Sequence, residues 1–249
     1  MSLIQKVPGT AFSGTLPKLY RDAVINSDTK FVYDALDTYS WSSQGAGPGT
    51  LVNLVDGGPT ATVNSSVGFS GGFVFDDDSD EIALPSIAKL SATEAAFLFV
   101  LWIKQGATTS GTLNGVAGVG SALAAANNQY LIYESSNQIV IYFSGTQTYS
   151  FTSVANTKYQ IGLAAKRRVD NTGYDVETYI NGAIVDSRFV AVTSISVSNS
   201  PRIGQIDSGG GFQDNWRGTV YRTLFDKLQV KTAAEIVALD YAQNSGRFS

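Results

Sequence analysis

The densest set of chemically active side chains is the stretch GFVFDDDSDEIALP, in which five carboxylates occupy six consecutive positions between two apolar runs. Oxygen ligands crowded in this way suit a hard divalent cation such as Ca²⁺. Asp76, Asp78 and Asp80 match the first, third and fifth positions of an EF-hand calcium loop. The sixth position, which needs glycine, is Glu81, and the twelfth, which needs a bidentate glutamate, is Ile87. The sequence therefore excludes an EF-hand.

Two interpretations of this acidic stretch stay open. Like charges at close spacing repel one another, and a calcium ion held loosely by Asp76, Asp78 and Asp80 would relieve that repulsion. The alternative is a solvated hairpin tip that joins the apolar residues 73–75 to residues 82–84. The solvated tip is the interpretation we favour, and Ca²⁺ is the one cofactor that the sequence suggests.

A second set of carboxylates lies in the run YDVETY. Asp175, Glu177 and Tyr179 alternate along it, so strand geometry puts all three on one face. Two carboxylates cleave a glycosidic bond when they lie about 5–5.5 Å or about 6.5–9.5 Å apart. More often, such a pair is the polar face of a half-solvated strand. We therefore take these three residues as candidate ligand-binding groups.

The composition argues against most other chemistry. The chain has no histidine and no cysteine, which removes Ser-His-Asp triads, thiol nucleophiles, histidine-liganded metals and the usual near-neutral base. We expect a chain that is not an enzyme, with a carboxylate-based glycosidase as the alternative. The net charge of −4 gives no general attraction to nucleic acid.

The run GGGFQDNW is the most lectin-like loop. Its glycines leave Phe212 and Trp216 free to be presented, aromatic faces stack on sugar rings, and Asp214 would fix a sugar hydroxyl. The competing interpretation is that Trp216 packs beneath the adjacent strand. Phe212, Asp214 and Trp216 join the candidate ligand-binding residues.

These candidates need strands to position them. Short β-like runs alternate with turn residues from Leu51 onward, at the spacing typical of a β-sandwich. SSN after QYLIYE predicts one hairpin, and Asn181-Gly182 predicts another. Residues 232–243 predict a C-terminal helix, because Thr232 and a glutamate three residues later form a capping box.

Residues 1–45 differ from the rest of the chain. They are rich in aromatic residues, show no helical period and end in a glycine-rich loop. We expect an extended N-terminal arm whose aromatic side chains dock onto the chain's own body or onto a neighbouring subunit. Residues 46–249 would then form one domain.

Neither a leader nor a spanning segment is predicted. The first fourteen residues, MSLIQKVPGTAFSG, place a lysine and a proline where a signal peptide needs an unbroken apolar run. The longest apolar run, AAFLFVLWI, has nine residues, too few to cross a bilayer as a helix. We expect a chain made in a cytosol, with no membrane insertion.

The order of these runs resembles the concanavalin A-like (laminin-G/pentraxin-type) jelly roll found in bacterial and bacteriophage proteins. The strand that ends at Trp102 is similar to the family's tryptophan strand, and YING at residues 179–182 to its Y-V-N-G hairpin. Residues 218–224 resemble its penultimate strand, and TAAEIVAL its terminal helix. The resemblance implies an all-β concanavalin A-like β-sandwich with an N-terminal arm and a short C-terminal helix.

What the family does is varied, so the fold does not select one function. Jelly-roll glucanases carry an E-x-D-x-x-E strand, which this sequence lacks, while laminin-G and pentraxin relatives often hold calcium at the sandwich rim. The absence of cysteine and of a leader suits a bacteriophage virion protein, a capsid decoration, fibre or tail component. The expected partners are other virion proteins, further copies of the chain and a host-surface glycan. The alternative is a free carbohydrate-binding protein or glycoside hydrolase.

Overall fold

The computed structural model describes residues 22–106, 114–120, 128–195, 197, 199–205 and 216–248. Its strands are β1 Thr29–Asp34, β2 Gly49–Leu51, β3 Ala61–Val63, β4 Gly68–Phe69, β5 Phe73–Phe75, β6 Ile82–Ala83, β7 Ala96–Gln105, β8 Asn114–Gly120, β9 Asn128–Ser135, β10 Gln138–Phe143, β11 Thr146–Thr152, β12 Lys158–Arg167, β13 Tyr174–Ile180, β14 Ala183–Val190, β15 Arg202–Ile203 and β16 Gly218–Asp226. A 3₁₀ turn covers Ser86–Ala88, and one α-helix, α1, covers Ala233–Asn244.

The strands form two antiparallel eight-stranded sheets packed face to face. Sheet A has the order β14-β13-β12-β7-β16-β5-β4, with β1 also paired to β16. Sheet B has the order β11-β10-β9-β8-β15-β6-β3-β2. This confirms the prediction of an all-β sandwich with a short C-terminal helix.

Strand β7 shows why the longest apolar run belongs to the centre of sheet A. One set of alternating side chains, including Phe97, Phe99 and Leu101, packs into the core between the sheets. The other set, including Val100 and Trp102, packs into a second apolar cluster on the outer face of sheet A. A strand buried on both faces needs apolar residues at every position rather than at alternate ones.

Helix α1 packs against part of that outer face. Thr232 caps it and Glu235 completes the predicted capping box. Ile236 and Val237 are fully buried in the second cluster. Among the described residues, no helix has the length and hydropathy required to cross a membrane.

Both predicted hairpins are present. Ser136 and Asn137 have φ of 50° and 67° between β9 and β10. Asn181 and Gly182 have φ of 51° and 83° between β13 and β14. Positive φ at both central positions is the conformation that short polar residues and glycine accept at lowest cost.

The described part of the predicted N-terminal arm belongs to the sandwich. Residues 22–45 include β1, which pairs with β16. Phe31 and Trp41 are almost fully buried in the core between the sheets. Phe31 and Trp41 therefore pack onto the chain's own body, which was one of the two docking surfaces considered. The arm remains a prediction for residues 1–21, which lie outside the described residues.

Candidate functional site

The predicted carboxylate pair lies on the outer face of sheet A. Asp175, Glu177 and Tyr179 alternate with core residues of β13, as the sequence pattern requires. The register with β12 puts Lys166 directly opposite Asp175. Strand alternation and the β12–β13 register together bring two carboxylates and an ammonium group to one surface.

These side chains form one wall of a cleft of about 440 Å³. Lys166, Asp175 and Glu177 line its strand side, and residues 228–233, which lead into α1, line the opposite side. Ala164 lies opposite Glu177 in the register and forms part of the lining. A methyl group there leaves open the space that a larger residue would fill.

Asp175 is held by an arginine that sequence reasoning missed. Arg168 Nη2 lies 2.7 Å from Asp175 Oδ1, and the same guanidinium stacks over the ring of Phe189, 4.2 Å from its centroid. The hydrogen bond to Asp175 is the main cause that raises the pKa of Arg168. Asp175 keeps 56% of its side chain exposed, so it still offers an oxygen to a ligand.

Glu177 is oriented from beneath by Tyr179. The Tyr179 hydroxyl donates a hydrogen bond to Glu177 Oε2. Tyr179 is 2% exposed, and its burial, with a further contribution from Glu177, raises the pKa of the phenol. The hydroxyl therefore stays protonated at neutral pH and acts as a fixed donor. Tyr179 contributes this hydrogen bond and no stacking surface.

The cleft contains both signs of charge. Lys231, at the start of the α1 wall, adds a second ammonium group to that of Lys166. Carboxylates only accept hydrogen bonds when ionised, and ammonium groups only donate them. The site therefore offers acceptors and donors to one small ligand, and the apolar side chains of Leu228 and Val230 lie beside them.

A buried polar network anchors α1, the helix that continues from residues 228–233, to sheet A. Asp240 of α1 accepts from Arg222 Nε at 2.8 Å and from Gln160 Nε2 at 2.7 Å. The Arg222 Nη1 atom also lies 2.8 Å from Asp22 Oδ2 and 3.1 Å from Asp34 Oδ2. Burial works to lower the pKa of Arg222, but the charges of these three aspartates outweigh it and raise that pKa. The helix is thus attached to β12 and β16 by ionic as well as apolar contacts.

Trp216 is not presented to solvent. It is 1% exposed, its Nε1 donates to Gln105 Oε1 at 3.2 Å, and its ring lies 5.6 Å from that of Phe75. The prediction of a stacking surface at Trp216 was wrong, and the competing interpretation that it packs beneath the strand is correct. Phe212 and Asp214 lie outside the described residues, so their predicted role stays a prediction.

The acidic stretch is not a hairpin tip. Strand β5 belongs to sheet A and β6 to sheet B, so residues 76–81 cross between the sheets. Asp80 is 1% exposed, and its Oδ2 accepts from the backbone N–H groups of Asp76 at 2.7 Å and Asp77 at 2.8 Å. The hairpin-tip prediction was wrong because residue spacing cannot distinguish a hairpin from a crossover.

The three aspartates of this stretch do not converge. Asp78 points outward and its Oδ1 lies 2.9 Å from Arg217 Nη2, whereas Asp80 points inward and closes the turn. Within the described ranges, no group of three or more acidic side chains is arranged to hold a metal ion. The described geometry therefore gives no support to calcium at Asp76, Asp78 and Asp80.

Sequence reasoning missed Lys166 in the cleft and Arg168 and Phe189 beside Asp175. None of the three was among the candidate ligand-binding residues. The register of each hairpin would have placed Lys166 and Phe189 on either side of Asp175. Nothing in the local sequence predicts the approach of residues 228–233, which depends on the docking of α1.

Comparison with known proteins gives the fold. No protein-family model and no curated protein matches the chain. Solved structures do match: Trypanosoma rangeli sialidase in complex with sialic acid has a TM-score of 0.63 at 11% identity, over 90% of this chain and 34% of that one. A mutant of that sialidase displaying trans-sialidase activity has a TM-score of 0.62 at 13% identity, over 88% of this chain and 34% of that one. The botulinum neurotoxin serotype D binding domain has a TM-score of 0.61 at 13% identity, over 89% of this chain and 52% of that one.

These similarities support a β-sandwich of the jelly-roll type. The chain spans about a third of each sialidase chain and about half of the toxin binding domain. The expectation that the chain is not an enzyme rested on the absence of histidine, cysteine and an E-x-D-x-x-E strand. It is overturned, because the solved structures that match this chain include sialidases. At this level of identity, the similarity establishes the fold and not a reaction.

Proposed function

We propose that the chain is a carbohydrate-binding β-sandwich domain and that its ligand site is the cleft between β13 and residues 228–233. The convergence of Asp175, Glu177, Lys166 and Lys231 on one cleft carries the proposal. A sugar presents hydroxyl groups that both donate and accept, and this set of side chains can satisfy both. The fold's occurrence in sialidases and in a toxin binding domain is consistent with it.

The size of the cleft selects a small part of a glycan. A volume of about 440 Å³ lies toward the lower end of the usual range for small-molecule sites, roughly 300–1,000 Å³. That space suits one or two sugar rings rather than a long chain. Val230, 62% exposed beside the cleft, would cover the C–H face of a bound ring.

The direct test is a glycan array followed by titration calorimetry of the best ligand. We expect Glu177→Gln and Asp175→Asn each to weaken binding at least tenfold, because each removes a charged acceptor from the cleft. Glu81→Gln is the matched control, since Glu81 pairs with Arg202 on a different part of the surface and should bind as the unmodified chain does. Array binding that is unchanged in both cleft variants, or absent from the unmodified chain, would overturn the proposal.

Glycan cleavage is the second candidate for the same cleft. The observation that favours it is the environment of the two carboxylates: Asp175 is ion-paired with Arg168, and Glu177 accepts from a buried tyrosine hydroxyl. Two carboxylates in different environments can divide the roles of acid and base. Release of reducing sugar, measured in the same samples and lost in both Glu177→Gln and Asp175→Asn, would identify a glycosidase.

The predicted placement on a bacteriophage particle rests on the sequence resemblance. Capsid or tail attachment, other virion proteins as partners and a host-surface glycan as ligand are proposals that the cleft is compatible with. Mass spectrometry of purified bacteriophage particles tests these proposals. Absence of the chain from the particles would overturn the placement on a particle and leave the glycan proposal unaffected.

A further inference from the structure

Strand β14 forms the outer edge of sheet A. It is eight residues long and pairs on one side with β13. In the part of the chain that the structure describes, no strand pairs with its other side. A free edge of this kind presents unpaired backbone N–H and C=O groups to any strand that approaches it.

The exposed side chains of β14 are unusually apolar for a free edge. Ile184, Val185 and Phe189 are 52%, 37% and 42% exposed. They are three of the eight large apolar residues that are exposed among the described residues, so one short strand holds a disproportionate share. Edges of monomeric sheets are commonly protected by charged residues, especially lysine, by proline or by bulges. Residues 183–190 contain no lysine and no proline, and their charges are limited to Asp186 and Arg188.

The charges of β14 are arranged symmetrically about Ser187. Asp186 precedes it and Arg188 follows it, and within one chain the two side chains pair, with Arg188 Nε 2.6 Å from Asp186 Oδ2. In an antiparallel pair of two identical strands centred on Ser187, Asp186 of each copy lies opposite Arg188 of the other. The strand is therefore complementary to itself in charge.

We propose that a second copy of this chain binds the free edge of β14, antiparallel and centred on Ser187, and so extends sheet A across a two-fold axis. The interface is isologous, because the same strand contributes on both sides. A β-bulge at Val185, where the register with β13 shifts, limits the regular pairing to residues 186–188. Backbone hydrogen bonds supply affinity, and the two Asp186–Arg188 pairs fix the register.

The proposed dimer has a geometric consequence for the cleft. The two-fold axis of an antiparallel strand pair is perpendicular to the sheet, so the outer faces of both sheets lie on the same side. Asp175 lies directly opposite Phe189 on that face. Two clefts would therefore open in one direction, and if they bind glycan as proposed above, a dimer would bind a multivalent surface more tightly than a monomer.

The test measures the mass of the full chain in solution by sedimentation and light scattering over a range of concentrations. The unmodified chain should dimerise. Asp186→Arg and Arg188→Asp should each raise the dimer dissociation constant at least tenfold, because each places like charges opposite one another. Mixing the two single variants should restore a dimer that contains one chain of each kind, since Arg then faces Asp at both positions. The double variant D186R/R188D should dimerise by itself.

Folding is checked by circular dichroism and thermal melting. The double variant keeps the ion pair within one chain, so it tests the interface even if a single variant is unstable. A monomeric unmodified chain would overturn the proposal. A dimer that both single variants retain would also overturn it, as would a mixture that fails to associate. Each readout is independent of glycan binding, so failure of the dimer and failure of the glycan site are distinguishable.

Discussion

The indole Nε1 of Trp102 donates a hydrogen bond to Asp240 Oδ2 at 2.6 Å, and both side chains are almost completely buried. This contact joins the central strand of sheet A to the C-terminal helix across 138 residues of sequence. Residues 228–233, which form one wall of the cleft, lead directly into α1, so the contact that anchors the helix also helps to hold that wall.

Asp240→Asn is expected to destabilise the fold strongly. The substitution removes the charge that faces Arg222 Nε at 2.8 Å and leaves a buried guanidinium with less compensation, which typically costs about 3–5 kcal/mol. Urea unfolding measures the change in the free energy of unfolding. Asp78→Asn is the control, because its ion pair with Arg217 is largely exposed and such pairs contribute about 0–1 kcal/mol. Equal losses in the two variants would contradict the importance of the buried network.

Glu134→Gln should change how stability depends on pH. Glu134 is 1% exposed and accepts from Gln105 Nε2 at 3.0 Å, and burial raises its pKa despite that bond. The carboxyl therefore contributes stability fully below its unfolded value of 4.5, and this contribution is lost as the pH rises through the folded-state pKa. The glutamine variant should match the unmodified chain near pH 4 and gain relative stability towards pH 7, measured by urea unfolding at each pH.

Glu94→Gln should show the opposite dependence. Glu94 Oε2 lies 2.7 Å from Lys227 Nζ; burial works to raise its pKa, but the bonds to Lys227 and Ser91 outweigh it and lower the pKa. Its contribution is present above the unfolded value of 4.5 and is lost as the pH falls through the folded-state pKa. This variant should lose stability near pH 7 and little at low pH. Profiles of the same shape for the two glutamine variants would show that at least one of the two pKa directions is wrong.

Gly182→Ala tests how closely α1 packs against the β13–β14 hairpin. Gly182 has φ of 83°, and a Cβ there would lie 2.9 Å from the ring of Tyr241 on α1. Gly57→Ala is the control, since Gly57 has φ of 70° and no atom within 4 Å of the added Cβ. Both variants pay the backbone cost of a left-handed residue, about 1–2 kcal/mol, and only Gly182→Ala should lose about 1–3 kcal/mol more from overpacking. Thermal and urea unfolding compare the two variants. Equal losses in the free energy of unfolding would mean that α1 shifts to accommodate the added methyl group without destabilising the fold.

The candidate site was predictable where it depended on strand geometry. Alternation in YDVETY was enough to place Asp175, Glu177 and Tyr179 on one face, because successive side chains of a strand point to opposite sides. The same rule could not say which face was covered. Tyr179 is buried because it packs in the same cluster as residues of α1. From there its hydroxyl donates a hydrogen bond to the Glu177 carboxylate.

The errors occurred where residues distant in sequence decide the outcome. Asp80 looked like a metal ligand because its neighbours are acidic, but the crossing from sheet A to sheet B turns its carboxylate onto backbone N–H groups. Trp216 looked exposed because glycines precede it, but the end of the sandwich supplies Gln105 and Phe75 as its partners. Charge and glycine content describe a segment and not its surroundings.

The sequence by itself determined the class of fold, the two hairpins and the capped helix, because turn residues, alternation and capping boxes act within a few positions of one another. Only the tertiary structure decided which face of β13 forms a cleft, which aspartates are buried and which strand ends sheet A. Those outcomes depend on contacts between segments up to about two hundred residues apart, such as Asn26 Nδ2 and Asp226 Oδ2 at 2.9 Å, and no local pattern encodes such contacts.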